Sequence, residues 1–264
     1  EELYSAIPDD LRLHRPLNLP EPMIAEEQLK SHILDTLSDD SSTQDYVSFL
    51  GGGCSKHFIP VICDEINSRR EFASAYAGDA YSDHGKHQAW FEYQSLMGEL
   101  LDCDFVSFPM YDWMAALSSS LMMALRLTSR TQVLVPRCMN PEKLSHLENM
   151  LAASNAEILS YDFNQASGVA DINHVAQLLT EECAALYFEN PVYFGSIETA
   201  ADKLVELAHD VGSMAIAGVD PISLGIISPP SNYGADLVVG DTQSLGLHMT
   251  MGGATCGFIA GKHD

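Results

Sequence analysis

An α/β fold with a mainly parallel sheet and helices on both faces is predicted by three observations. From Gln132 onward, short apolar runs alternate with amphipathic helical patterns. Those runs are too short for an antiparallel meander, which points to right-handed βαβ units with strands covered on both sides. The 264 residues can bury one substantial core.

Residues 1–46 hold Pro8, Pro16, Pro20 and Pro22, then a helical pattern from about Ala25 to Leu37 and a polar break from Ser38 to Ser42. That composition describes an arm and a linker, and leaves 47–264 as the large domain. Gly51, Gly52 and Gly53 follow, three glycines that permit close backbone approach. They match neither a phosphate-binding P-loop nor a dinucleotide fingerprint. Between Ala89 and Leu101 the apolar residues Trp90, Phe91, Tyr93, Leu96, Met97 and Leu100 predict a largely buried helix. A short strand leads to Met110, and a helix from Met114 to about Arg126 reads as core through Ala115, Leu117, Leu121, Met122 and Leu125.

The alternation then runs as strand 132–136, helix 141–153, strand 156–161, helix 171–179, strand 184–188, helix 199–211 and strand 214–217. Pro141 at a helix start and Gly168 and Gly212 at turns set the boundaries. Two further strands, 236–239 and 256–260, complete the pattern. Open α/β sheets carry their chemistry at the carboxyl ends of strands, so Asp220 and Gln243 are expected together at the mouth of one crevice.

Composition narrows the function. The formal charge of −24, from 37 acids against 13 bases, argues against nucleic acid, since phosphate contacts need clustered Lys and Arg. No run approaches the ~20 apolar residues of a membrane span, and the opening residues show neither the basic region nor the apolar core of a secretory signal. A cytoplasmic address is expected. Six dispersed cysteines without a C-x-x-C pair read as reduced, mostly buried thiols. Asp83, His84, His87 and Glu92 are weighed as a metal cluster and set aside as a solvated loop entering a helix, because a clear third ligand is lacking. No metal is expected.

Several phrases resemble subunit 1 of the two-subunit glycine decarboxylase, the P-protein of the glycine cleavage system. Arg15 to Pro20 spell Arg-Pro-Leu-Asn-Leu-Pro, the end of that family's arm. Phe49, Leu50, Gly51, Gly53, His57 and Pro60 fit a phrase like F-L-G-x-G-x-Y-x-H-x-I-P, with Ser55 in place of the aromatic. Arg69, Glu71, Phe72, Ala75, Tyr76, Gly85, Gln88, Phe91, Glu92 and Gln94 continue the match. Met110-Tyr111-Asp112, then Pro191, Phe194, Gly195, Ile197 and Glu198, and finally Asp220-Pro-Ile-Ser-Leu-Gly with Gln243-Ser-Leu-Gly, carry it along the chain. Departures fall at the 77–84 loop, Pro109, Trp113, Asn140 and Val192. An indole at 113, where Gly is usual, would fill the anion site of a helix start, so no phosphate is placed there.

The resemblance implies the large domain of a pyridoxal-phosphate-dependent transferase of the aspartate aminotransferase type, fold type I. Asp220 would hold the place of the acid that pairs with the pyridinium nitrogen, and Gln243 that of the Schiff-base lysine. Gln forms no imine, so the cofactor is expected on a lysine-bearing second subunit and not covalently on this chain. Candidate pocket contributors are His57, Tyr76, Tyr111 and Asp112. The implied reaction is decarboxylation of glycine, with the aminomethyl group passed to the lipoylated H-protein in an α₂β₂ assembly. A further small domain is expected beyond Asp264. Two other readings stay open: a divergent paralogue acting with its partner on another amino acid, and a non-catalytic structural or regulatory partner.

Overall fold

The computed structural model describes residues 2–49, 51–69, 84–252 and 255–263. Tyr76, most of the altered 77–84 loop, Asp83 and Gly253 lie outside them. The chain divides into two compact units, Glu1–Leu50 and Gly51–Asp264. In the first, α1 (Glu26–Leu37) begins on two glutamates that suit the positive end of the helix dipole. Leu29, Ile33 and Leu37 recur every four residues and so share one helix face, and all three are exposed. No residue of this helix is buried.

The second unit holds α2 (Val61–Asn67), α3 (His84–Leu101), β1 (Phe105–Val106), α4 (Trp113–Thr128), β2 (Gln132–Pro136) and α5 (Pro141–Leu151). Then come β3 (Glu157–Tyr161), α6 (Ile172–Leu178), β4 (Cys183–Glu189), α7 (Ala201–Asp210), β5 (Met214–Gly218), β6 (Leu237–Asp241) and β7 (Gly257–Gly261). The seven strands form one sheet in the order β1-β7-β6-β5-β4-β2-β3. From β6 to β3 every pairing is parallel. β7 and β1 close the other edge antiparallel.

The two-residue period of the strands sorts their side chains into two cores. Val133, Val135, Ala185, Tyr187, Ile216 and Val239 face one way, where Leu117 and Leu121 of α4 and Leu147 and Leu151 of α5 cover them. Leu134, Leu186, Phe188, Ala215 and Ala217 face the other way, under Val175 of α6 and Leu204, Val205 and Ala208 of α7. On that same side α3 sets Met97 and Leu101 against Val238, Phe258 and Ala260. This corrects the expectation of a largely buried helix at 89–101. Phe91 is 64% and Leu96 70% exposed, because only one stripe of α3 meets the sheet. The cysteines are also less buried than expected: Cys138 and Cys183 are buried, whereas Cys54, Cys63, Cys103 and Cys256 are half-buried, and none of the six forms a disulfide. Cys54, Cys103 and Cys256 stand in loops that flank the regular elements and so are only partly covered.

β4 is buried along its whole length and ends on a charge, Glu189. Water does not reach that carboxylate, so the protein must supply its partners. Lys143, in the first turn of α5, donates to Glu189 Oε1 at 2.9 Å, and Tyr187 Oη donates to the same oxygen at 2.8 Å. Trp113, the first residue of α4, donates from Nε1 to Tyr187 Oη at 3.1 Å. The Lys143 ammonium lies 3.4 Å from the centroid of the Trp113 ring, which closes the ring of contacts with a cation–π interaction. Burial, then the charge of Glu189, pushes the Tyr187 hydroxyl well above its usual range, which keeps it a donor.

Two outcomes are expected. A methyl at Gly218 of β5 would fall on Tyr187 Oη and within 2.9 Å of Trp113 Cζ2, so Gly218→Ala should lower stability by about 1–3 kcal/mol in urea titration. Glu189→Gln leaves the Lys143 ammonium without its counter-charge, and the same titration should show a loss of about 3 kcal/mol.

Candidate functional site

The carboxyl ends of β2, β4, β5 and β6 converge on one crevice, the place where a parallel sheet leaves backbone groups and loop residues free to meet a ligand. Its first wall is built from a loop far away in sequence. Gly51, Gly52 and Gly53 all take positive φ, at 69°, 90° and 79°, a run that side chains would strain. The loop then delivers Ser55 to Gln243. The Gln243 amide is 2% exposed, and its Oε1 accepts from Ser55 N–H at 2.9 Å. Its Nε2 donates to Ser55 O at 3.2 Å and to Leu247 O at 2.9 Å.

Two more contacts extend this seam. Gly246 N–H donates to His57 Nε2 at 3.0 Å, which makes Nε2 the bare nitrogen. Nδ1 therefore carries the proton and donates to Ser55 O at 3.0 Å. Further on, His248 Nε2 meets Asp64 Oδ1 of α2 at 2.9 Å. Residues 55–64 are thus fastened at three points to the turn that follows β6.

Asp220, at the end of β5, is exposed and its Oδ1 accepts from Ile222 N–H at 3.1 Å and from Ser244 Oγ at 2.9 Å. Through Ser244 it adjoins Gln243, so the two residues expected at one crevice mouth stand side by side. Asp241, the last residue of β6, receives Gln243 N–H on Oδ1 at 3.0 Å. Burial lifts its carboxyl above the usual range, that backbone hydrogen bond and Lys143 pull it down, and Asp220 and Asp112 add to the rise.

Asp112 caps α4, with Oδ1 accepting from Ala115 N–H at 2.6 Å. The helix thus starts at Trp113, one residue earlier than the sequence pattern indicates. Tyr111 beside it is 85% exposed. Asn140, one of the departures from the family phrases, caps α5 by accepting Glu142 N–H on Oδ1 at 2.7 Å. Val192 follows a cis Asn190–Pro191 bond in a loop held by Glu198, whose carboxylate accepts from Ala170 and Ala200 N–H. His87 stacks on Trp90, and Glu92 accepts from Gln88 Nε2 at 2.9 Å.

A cavity of about 370 Å³ lies between the glycine loop, the start of α4 and the end of β6. Asp112, Glu142, Asp241, Lys143, Tyr111 and Trp113 line it. Of the sequence-predicted residues, Tyr111 and Asp112 reach this cavity, His57, Asp220 and Gln243 form the neighbouring seam, and Tyr76 is outside the described residues. Lys143, Glu189 and Asp241 were not singled out as site residues. An acid closing an apolar strand, and a lone lysine one turn into the helix opened by Pro141, are the signals that point to the first two.

A family model described as "Glycine cleavage system P-protein" matches residues 1–264. The protein named "Probable glycine dehydrogenase (decarboxylating) subunit 1" of Carboxydothermus hydrogenoformans is 36% identical over 265 residues, covering 100% of this chain and 59% of that protein. Its namesake in Chlorobium phaeobacteroides is 37% identical, again with 100% and 59% covered. A crystal structure of glycine decarboxylase (P-protein) of the glycine cleavage system, in inhibitor-bound form, superposes with a TM-score of 0.87 at 34% identity, covering 99% of this chain and 57% of that one. A sphingosine-1-phosphate lyase of Burkholderia pseudomallei, at TM-score 0.67 and 11% identity, shares the fold alone. The fold is therefore that of the fold type I pyridoxal-phosphate enzymes. This chain spans about three fifths of the length of the curated relatives it matches. Over all 264 residues, the chain belongs to the glycine cleavage system P-protein family.

Proposed function

We propose that this chain is the non-lysine-bearing subunit of a cytoplasmic two-subunit glycine decarboxylase, and that it completes the active site of a lysine-bearing second subunit. The single observation that carries the reading is Gln243. It stands at the place implied for the Schiff-base lysine, has no amine to offer, and has its amide bound to Ser55 and Leu247. The relatives' shared description as subunit 1 supports a second chain. Pyridoxal phosphate, held by that second chain, would supply the electron sink that a decarboxylation needs.

What this chain contributes is a rigid wall. The seam of Ser55, His57 and Asp64 on the 243–248 turn holds the glycine loop in one conformation. A wall held in this way excludes water from the partner's reacting carbon and orients the glycine, tasks that reward fixed geometry. His57, Tyr76, Tyr111 and Asp112 are the side chains proposed to border that pocket. The lipoylated H-protein is the proposed acceptor of the aminomethyl group. No helix among the described residues is long and apolar enough to cross a membrane.

The test combines the full-length chain, its lysine-bearing partner and lipoylated H-protein, and follows exchange of glycine carboxyl with labelled bicarbonate. Exchange should require both chains; the same rate from the partner without this chain would remove the proposal. Gln243→Ala deletes the clamp on the glycine loop. It should lower that exchange about tenfold, a barrier change of ~1.4 kcal/mol, while the two chains still co-elute on gel filtration.

A further inference from the structure

The family's cofactor can be tested against this chain's own crevice group by group. It needs an amine, and Gln243 provides a buried amide that is already paired. It needs an acid to meet a pyridinium, and Asp220 has only Oδ2 left for one, since Oδ1 accepts from Ile222 N–H and Ser244 Oγ. Its phosphate needs free N–H groups or a cation. At the start of α4 the Asp112 carboxylate takes the Ala115 N–H, placing a negative charge where an anion would sit. Lys143, the cation on the cavity wall, is hydrogen-bonded to Glu189 and lies over the Trp113 ring. Asp112, Glu142 and Asp241 then leave the cavity with an excess of carboxylates. A phosphate monoester carries about −1.5 to −2 charges at pH 7, and every one of these carboxylates repels it. The residues present do not fit the cofactor, although about 370 Å³ of space is open beside them.

We infer that this crevice rejects pyridoxal phosphate through its charge and its committed hydrogen bonds, not only through the absent lysine, so that an amine restored at 243 does not restore cofactor binding. Trp113 and Lys143 are central to this. The indole holds the ammonium toward Glu189, and so withholds from the cavity the one cation on its wall among the described residues. The inference is drawn from this chain's own residues; only the assembly used to test it comes from the reading above.

The experiment uses the full-length chain assembled with its partner, with any cofactor already present fixed by borohydride. Pyridoxal phosphate is added to wild type and to Gln243→Lys, a second borohydride step follows, and peptides of this chain are mapped by mass. No pyridoxyl group is expected on residue 243 of the variant, nor on Lys143 of either protein; a stoichiometric label at one of these positions overturns the inference. A second measurement needs no substitution and covers a variant that fails to fold. The same fixed wild-type assembly is titrated with 4′-deoxypyridoxine 5′-phosphate, which has the ring and phosphate but no aldehyde. No saturable binding is expected, and one equivalent bound per copy of this chain would overturn it.

Discussion

Glu189 is the constraint around which the crevice is arranged. A strand buried on both faces cannot end on a carboxylate unless the chain brings donors to it; Lys143 and Tyr187 donate to Glu189 directly, and Trp113 acts through Tyr187. Lys143 ties down the start of α5, Tyr187 comes from β4 itself, and Trp113 ties down the start of α4. The helix starts that border the cavity are therefore positioned by the need to satisfy one buried charge. Their apolar faces, packed on Val133, Val135 and Ile216, supply most of the adhesion, while the polar ring fixes where the helices begin.

The same arrangement explains how a sheet of this type can retain a crevice and not offer it to the usual guest. Function in such folds lies in a few side chains at the strand ends, which can change without disturbing the layers beneath. Here those changes are linked. An amide at 243 needs acceptors and a donor, and it finds the donor and one acceptor at Ser55, just past the three glycines, and a second acceptor in Leu247 O of its own turn. An indole at 113 needs an acceptor for its N–H, and Tyr187 provides it. Each replacement has been answered by a hydrogen bond inside the chain, leaving fewer groups available to anything entering from outside.

What could be read from the sequence followed the range of the interactions. Helix and strand patterns are local, and the elements from β2 to β5 lie within two residues of the expected spans. The order of strand ends was enough to bring Asp220 and Gln243 together, because in a parallel sheet neighbouring carboxyl ends share one edge. Direction was not legible for the last strand: β7 pairs antiparallel with β6, and nothing in its apolar residues records that. The exposed side of α3 was missed because Phe91 and Leu96 are as apolar as Met97 and Leu101, and apolar character by itself does not declare which of these residues meets the sheet. The contact of His57 with Gly246 and that of Ser55 with Gln243 join residues nearly two hundred positions apart, and no local pattern encodes such a pairing.

The placement of Trp113 has an optical consequence. The chain has two tryptophans, and they sit in unlike surroundings. Trp90 lies against the His87 imidazole on α3 and the Phe108 ring, with the Lys86 ammonium 5.9 Å from its centroid. Trp113 has an ammonium group over its face and a phenol at its N–H, so its excited state is tuned by charges only a few ångströms away. Emission from that ring gives the crevice a native fluorophore, one that responds to a rearranged Lys143 or Glu189 without any dye being attached.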